Sequence, residues 1–363
     1  MFFCDIAYII SLFSLAIGCV AKLDHNFPAK DAGCFSALSA YAMLAGMRGG
    51  AAVTRLVAMG RGAKSNRRAR GAALVAAFFC AAVSSAHAYT AAGDRLFPAT
   101  LILPQFAPGN EFYNWDETLP QSPAGLGTPW HETNATLGMQ KTITDRLGVT
   151  IEETWTQLKT VKAGDLDGMQ NLDTEVKYLT IDSQAHEFLM TLGVDREFGG
   201  TGAARVGAFA SAATTPRLYL SKGLGDLDIG CLRPLAVGAL FGYQIADAAP
   251  RPDLFTPGLF VEYSIPYLES KVRDTPLPEF FRRLTPITEV QFTIPSGTSY
   301  GARTTALIAP GVSYAGEGWE LAGEALISGT HATGRGVGAI ALLHVSLDYL
   351  FPETIGRPLF SAP

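Results

Sequence analysis

"VGAIALLHVSLDY", residues 337–349, decides the fold. Val337, Ala339, Ala341, Leu343, Val345, Leu347 and Tyr349 are apolar or aromatic, and Gly338, His344, Ser346 and Asp348 stand between them. A period of two places alternate side chains on opposite faces of a strand. Helical spacing would instead scatter His344, Ser346 and Asp348 around a cylinder.

The same rhythm recurs upstream. Leu259, Val261, Tyr263, Ile265 and Tyr267 alternate with residues that include Glu262 and Ser264. Thr288, Val290, Phe292 and Ile294 alternate with Glu289, Gln291 and Thr293. Ile308, Val312 and Tyr314 share a face opposite Ala309, Gly311 and Ser313. Beyond a turn at 315–318, Trp319, Leu321, Ala325 and Ile327 alternate with Glu320, Ala322 and Glu324. Weaker versions lie at 137–143, 147–155, 172–180, 188–194, 218–222 and 235–245. In one of these Glu153 falls on the apolar face with Ile151 and Trp155, so a place near a membrane interface is expected for it.

The stretch 67–90, "RRARGAALVAAFFCAAVSSAHAYT", bears on where those apolar faces point. Lys64, Arg67, Arg68 and Arg70 precede the apolar run Ala72 to Val83, and Ala86-His87-Ala88 supplies a small-x-small cleavage site. These are the parts of a secretion signal in order, with cleavage expected between Ala88 and Tyr89. Met59 opens a leader, 59–88, of ordinary length. Residues 1–58 are expected to be a gene-model extension or a disordered or apolar leader; the runner-up is a membrane segment at Ile6 to Val20, about fifteen apolar residues and short for one. Residues 89–363 then form a single exported domain.

Nine of the 28 Lys+Arg but only three of the 33 Asp+Glu lie before Tyr89, so 19 basic against 30 acidic residues leave a formal charge of −11 beyond it. Phosphate binding needs a basic face, so nucleic acid is not an expected partner. After Tyr89 only Cys231 remains, which gives neither an internal disulfide nor a zinc site. The exported part has no apolar run long enough for a membrane helix. Two classes fit this composition: a soluble secreted β-protein, or an outer-membrane barrel whose strands alternate between lipid and lumen.

Connection lengths support a barrel. Tight turns are expected around Asp145, Asp182, Gly225-Asp226 and Gly316, alternating with longer loops near 163–168, 199–214, 247–256, 295–301 and 329–336. Short turns at one end and long loops at the other are the asymmetry of outer-membrane barrels. Residues 270–285 break the rule, and 276–283 has room for a helical turn. With the turns in the periplasm, parity requires one more strand before 137, for which Leu96 to Leu103 is the candidate despite Pro98 and Pro104. The expected fold is all-β, a transmembrane antiparallel barrel of about 12 strands.

If the apolar faces meet lipid, Asp173, Glu175, Lys177, Glu262, Glu289, Gln291, Glu320, Glu324, His344 and Asp348 face the lumen. That set suits a path for cations or hydrogen-bonding solutes. It equally suits a polar interior in which charges pair with Arg282, Arg283 and Lys177. His344 and Ser346 share a strand face, as the base and nucleophile of an outer-membrane lipid hydrolase would. Parity turns them inward, however, and no oxyanion donor is identifiable. The repeated Gly-Asp-Leu-Asp at 164–167 and 225–228 lacks the calcium-loop pattern and reads as turn chemistry. No metal, cofactor or catalytic residue is expected.

Several phrases carry a resemblance: "RLGVTIEETWTQLK" (146–159), "GMQNLDTEVKY" (168–178), "AHEFLMTLGVDREFGGTGAARVGA" (185–208), "YLSKGLGDL" (219–227), "APGVSYAGEGWELAGEALI" (309–327) and "FPETIGRPLF" (351–360). They resemble proteobacterial exported outer-membrane β-barrel proteins. More distantly, the architecture is similar to the barrels grouped under the phenol-degradation meta-pathway. The resemblance implies an outer-membrane channel or uptake porin for a small, often hydrophobic, solute. A plugged structural or binding barrel is the alternative, and the hydrolase a third. Outer-membrane lipid, a small solute and the barrel-assembly machinery are the implied partners. Many barrels end on an aromatic residue used in assembly, whereas here Ser361-Ala362-Pro363 follows Phe360.

N-terminal sequencing of the exported protein should therefore begin at Tyr89. A start upstream of it in mature material would remove the cleavage assignment.

Overall fold

The computed structural model describes residues 90–122, 130–160, 164–296 and 303–360. The leader 59–88, the expected junction of Ala88 and Tyr89, and residues 1–58 lie outside the described residues. In chain order the strands are β1 (Thr90–Ala92), β2 (Arg95–Phe97), β3 (Glu111–Thr118), β4 (Trp130–Thr142), β5 (Leu147–Thr160), β6 (Gly164–Met169), β7 (Asp173–Ser183) and β8 (Phe188–Glu197). They continue with β9 (Ala213–Gly223), β10 (Leu235–Ala246), β11 (Asp253–Tyr263), β12 (Leu284–Ser296), β13 (Thr305–Ala315), β14 (Trp319–Ser328) and β15 (Val337–Ser346).

Strands β3–β5 and β7–β15 form one antiparallel ring of 12. The seam joins β15 to β3, from Ala339 opposite Thr118 to Ser346 opposite Glu111. Closure pairs every strand edge, as hydrocarbon requires. Strand β6 stands outside the ring. It pairs with β5 from Trp155 to Thr160, above the level at which β7 takes the same edge from Leu147 to Glu152.

The alternation read from the sequence is the inside–outside pattern of the wall. Leu259 and Val261 are 52% and 49% exposed, whereas Glu262 beside them is 1% exposed. Leu321 and Leu343 likewise face out, and Glu320 and His344 are buried within. Inside, space is tight: a Cβ on Gly138 would lie 2.0 Å from the Tyr113 ring, so that strand position has to be glycine. Glu153 faces outward, opposite Leu137, at the level where β6 replaces β7.

The connections keep the expected sidedness at three of the four expected tight turns; the fourth, at Gly225-Asp226, is an eleven-residue connection, 224–234. Residues 143–146, 184–187 and 316–318 are tight turns at one end. The connection 264–283 at that end holds the helical turns Ile265–Tyr267, Leu268–Val272 and Glu279–Arg282. Phe280 stacks on Tyr314 and Tyr314 on Trp319, an aromatic cluster on one side of the short-turn rim. Among the described residues no helix is long and apolar enough to cross a membrane.

Four expectations need correction. Besides the connection at 224–234, the rhythm from Leu259 to Tyr267 does not stay extended: β11 ends at Tyr263, and the Ser264 hydroxyl accepts the Tyr267 amide at 3.2 Å and caps the helical turn Ile265–Tyr267. Leu96 to Leu103 is not a wall strand. Only Arg95–Phe97 is extended, paired with Thr90–Ala92, and the chain beyond it runs inside the barrel. Pro98, Pro104 and Pro108 have no N–H for a ladder. The parity strand is β3 instead. Its rhythm is disguised because Tyr113 and Trp115 face inward and Asn114 and Asp116 outward, opposite Leu343 and Ala341 of β15. The last strand also stops early. The Ser346 hydroxyl accepts the Tyr349 amide at 3.3 Å and caps the short helix Leu347–Leu350, so Asp348 sits on the rim and not on a strand.

A barrel with this outer face in hydrocarbon should tolerate no charge on it. Leu259→Arg, near the middle of β11, is expected to cost about 2–4 kcal/mol, read as a lowered urea midpoint for folding into phospholipid vesicles. An unchanged midpoint would contradict the orientation of the wall.

Candidate functional site

The short-turn side of the lumen is occupied by the chain's own N-terminal segment, which enters at that end. The β1–β2 hairpin lies across that end, with the Gly93 amide on the Gln184 side chain and Lys271 paired with Asp94 at 2.7 Å. Arg95 is fully buried. Its guanidinium donates to the carbonyls of Arg233, Pro234 (2.8 Å) and Leu235 (3.2 Å) and to Glu187 (3.3 Å), and it lies 4.0 Å over the Tyr267 ring. Glu187 also accepts the Gly225 amide at 3.0 Å and the Tyr267 hydroxyl at 2.8 Å. A buried guanidinium is tolerable only when its fork of donors is matched, as it is here.

Residues 98–110 then form a loop inside the barrel. The loop closes on itself: the Thr100 hydroxyl donates to the Pro104 carbonyl at 3.2 Å and the Gln105 amide to the Thr100 carbonyl at 2.9 Å. Glu289 on β12 accepts three successive backbone amides, from Leu101 (2.7 Å), Ile102 (3.1 Å) and Leu103 (2.8 Å). Successive N–H groups make a natural anion cradle, and charge-assisted bonds are the stronger kind. Glu320 on β14 accepts the Ala99 amide at 3.2 Å and the Ser313 hydroxyl. Gln140 on β4 donates to the Ala107 carbonyl at 2.9 Å.

Apolar side chains of the segment reach both sides of the lumen. Phe97, Leu103 and Phe106 join Leu189, Tyr219, Leu240 and Phe260, with Phe106 edge-on to Tyr219 and Phe260. Ala99 and Leu101 join Tyr113, Leu326, Ile340 and Leu342, and Ile102 packs against both groups. Gly258 makes room for this loop, since a Cβ there would lie 2.4 Å from Leu103.

Beside the loop, strands β5 and β7–β9 carry a charged network. Glu175 contacts Lys177 (3.2 Å), Arg217 (3.2 Å) and the Tyr219 hydroxyl (2.5 Å). Arg217 also reaches Asp195 at 3.3 Å, and the Tyr113 hydroxyl donates to Glu152 at 2.5 Å. Asp173 lines the same recess as Glu152, Glu175, Asp195 and Arg217.

The sequence-predicted lumen residues therefore separate by role. Asp173, Glu175 and Lys177 belong to the charged network, while Glu289 and Glu320 hold the inserted loop. Glu262 and Glu324 are buried on the inner face, and Gln291 lies beside Leu307 in register. His344 Nε2 is 2.5 Å from Glu111 Oε2. With Ser346 engaged as a helix cap on the inner side, the pair offers the hydrolase reading no bilayer-facing nucleophile. Asp348 receives the Asn110 amide at 2.8 Å, and burial at the rim lifts its carboxyl to about 6 despite that donor.

Arg282 and Arg283 do not pair with lumen carboxylates. They sit in the helical connection, facing Glu269 and Glu279. Arg95, Glu187, Arg217, Asp195 and Glu152 are lumen or rim residues that strand rhythm did not single out. Of these, Arg95 carried a signal: a lone cation between a turn at Gly93 and a proline.

No protein-family model matches the chain, and none of the curated proteins is similar to it in sequence. Among solved structures it is similar to an outer membrane channel from Pseudomonas putida F1, at 12% identity and a TM-score of 0.46, over 69% of this chain and 99% of that one. It is similar to the KdgM porin at 14% identity and a TM-score of 0.41, over 65% and 98% of the two chains. A third is the toluene transporter TbuX of Ralstonia pickettii, at 10% identity and a TM-score of 0.33, over 66% and 90%.

Glu289→Ala should leave three buried amides without an acceptor, at about 1–3 kcal/mol each before the loop relaxes. Hydrogen exchange at Leu101, Ile102 and Leu103 should then become fast while the wall strands stay protected. Continued protection would remove Glu289 as the anchor.

Proposed function

We propose that this protein is an outer-membrane channel for a small solute, held closed by its own N-terminal segment. The observation that carries the reading is the path of that segment. It enters the lumen from the short-turn end at Phe97 and has returned there by Asn110, whose side chain meets Thr142 and Asp348. A loop with both ends on one side can withdraw without unthreading any strand. Its polar backbone is received by wall carboxylates, which another hydrogen-bonding occupant could also engage.

The apolar outer face supports a place in lipid, and the short turns at the rim that carries the Phe280–Tyr314–Trp319 cluster support a periplasmic end there. The assembly machinery is the proposed route of insertion. Passage past the charged network would need no covalent step. A permanently plugged binding barrel is the second reading, favoured by the two apolar clusters that join the loop to both walls.

Single-channel recording separates the two. The intact exported chain should be silent, and removal of residues 90–107 should give discrete open-channel steps. Arg95→Ala leaves Glu187 without its cation, at about 3–5 kcal/mol, and should give intermittent openings. Silence of the truncated barrel, shown folded by circular dichroism, would favour the plugged reading.

A further inference from the structure

Above the inserted loop, at the long-loop mouth, the inner wall leaves a recess of about 240 Å³. Leu119, Pro120, Trp130 and Leu307 supply most of its apolar lining, with Glu132 and Thr333 among the polar groups. Strand parity turns Trp130 and Glu132 of β4 to the same inner face as the buried Asn134 and Thr136. Leu119 and Leu307 also pack against the buried cluster that contains Ala99 and Leu101. The recess therefore stands directly over the loop that closes the barrel.

Its polar chemistry is one-sided. The Ser122 hydroxyl accepts the Trp130 amide at 2.9 Å, and the Thr333 hydroxyl accepts the Ala306 amide and donates to the Ala306 carbonyl, both at 2.8 Å. Both oxygens accept a backbone amide, and Thr305 adds a third hydroxyl to the lining. Glu132 accepts one bond at each oxygen, from Trp130 Nε1 at 3.3 Å and Asn134 Nδ2 at 3.2 Å. A carboxylate has about four acceptor sites, so Glu132 keeps capacity for a donor. The same Asn134 amide group reaches Glu117 at 2.8 Å, which places a second carboxylate nearby. None of the lining side chains is cationic. The Trp130 indole, held by its bond to Glu132, offers a fixed aromatic face, which favours rings and cations.

We propose that this recess binds a small single-ring molecule carrying a protonated amine, with the ring against Trp130, Leu119 and Leu307 and the ammonium on Glu132. Size agrees: an apolar cavity of about 150 Å³ takes a bare benzene, so the recess has room for a ring and a short substituted arm. The site deepens the channel reading by naming the class of solute that its mouth would collect. It lies in the plugged chain and does not require the loop to move.

The test uses the full chain in nanodiscs, with empty nanodiscs as the blank, and equilibrium dialysis of three molecules of similar shape. These are 2-phenylethylamine, 2-phenylethanol and propylbenzene. The amine should saturate one site per barrel and bind about 10- to 100-fold tighter than the alcohol, as one charge-assisted hydrogen bond provides. Propylbenzene should show no saturable binding above the blank. Glu132→Gln should erase the difference between amine and alcohol. Trp130→Ala should weaken both, and Leu307→Phe, which fills the recess, should abolish binding while circular dichroism reports an intact barrel. Equal binding of propylbenzene and the amine would overturn the proposal, as would a preference that survives Glu132→Gln or an amine that never saturates. Conductance of the truncated barrel is read separately. Conductance without amine binding removes the site and leaves the channel, and binding without conductance does the reverse.

Discussion

In hydrocarbon an unpaired backbone amide has nothing to bond to, so a sheet placed there has to meet itself. The register between β15 and β3 is where this chain satisfies that demand. Every other feature follows from the seam. Once the ring is closed, one face of each strand looks outward and the other has to share a narrow interior with eleven neighbours. Glu262, Glu289, Glu320 and Glu324, on three different strands, become lumen residues only because the ring brings their faces together.

An interior so rich in carboxylates needs partners, and the chain supplies those of Glu289 and Glu320 from its own N-terminus. Most of the bonds are to backbone: three amides on Glu289, one on Glu320, and carbonyls around Arg95. Backbone groups are obligatory donors and acceptors, so a segment with little regular structure can sit in the barrel without stranding them. Glu289 stands in for the neighbouring strand that residues 101–103 do not have. Leu103, Phe106 and Leu101 then fix the loop's position by packing into opposite walls.

The two ends of the lumen differ as a result. Toward the short turns it is occupied by the loop and by the Arg95–Glu187 clasp. Toward the long loops the recess around Trp130 and Glu132 remains, and its floor leucines touch the cluster that holds the loop. The charged network of Glu175, Arg217 and Asp195 stands to one side, self-paired. Glu175 is shared among Lys177, Arg217 and Tyr219, so the interior on that side is rigid by cross-linking of charges.

Strand rhythm alone fixed most of the wall. A period of two is a local property, so Leu259 to Tyr263, Thr288 to Ile294 and Val337 to Ser346 could be assigned to faces without knowing their neighbours. Turn residues and loop lengths are local too, and they gave the two unlike ends and the even number of strands. What strand rhythm does not contain is which strand meets which across a long separation, or what enters the interior. β3 was hidden because its inward residues are aromatic and its outward ones include Asn114 and Asp116, the reverse of the other strands. Leu96 to Leu103 looked extended, but whether its amides bond to a neighbouring strand or to Glu289, 186 residues or more away, is decided only when the ring has formed. Asp348 shared its neighbours' parity until the Ser346 cap turned the chain. Local alternation is written in adjacent residues, whereas closure, filling and charge pairing depend on contacts between segments far apart in the chain, and only the tertiary structure decides those.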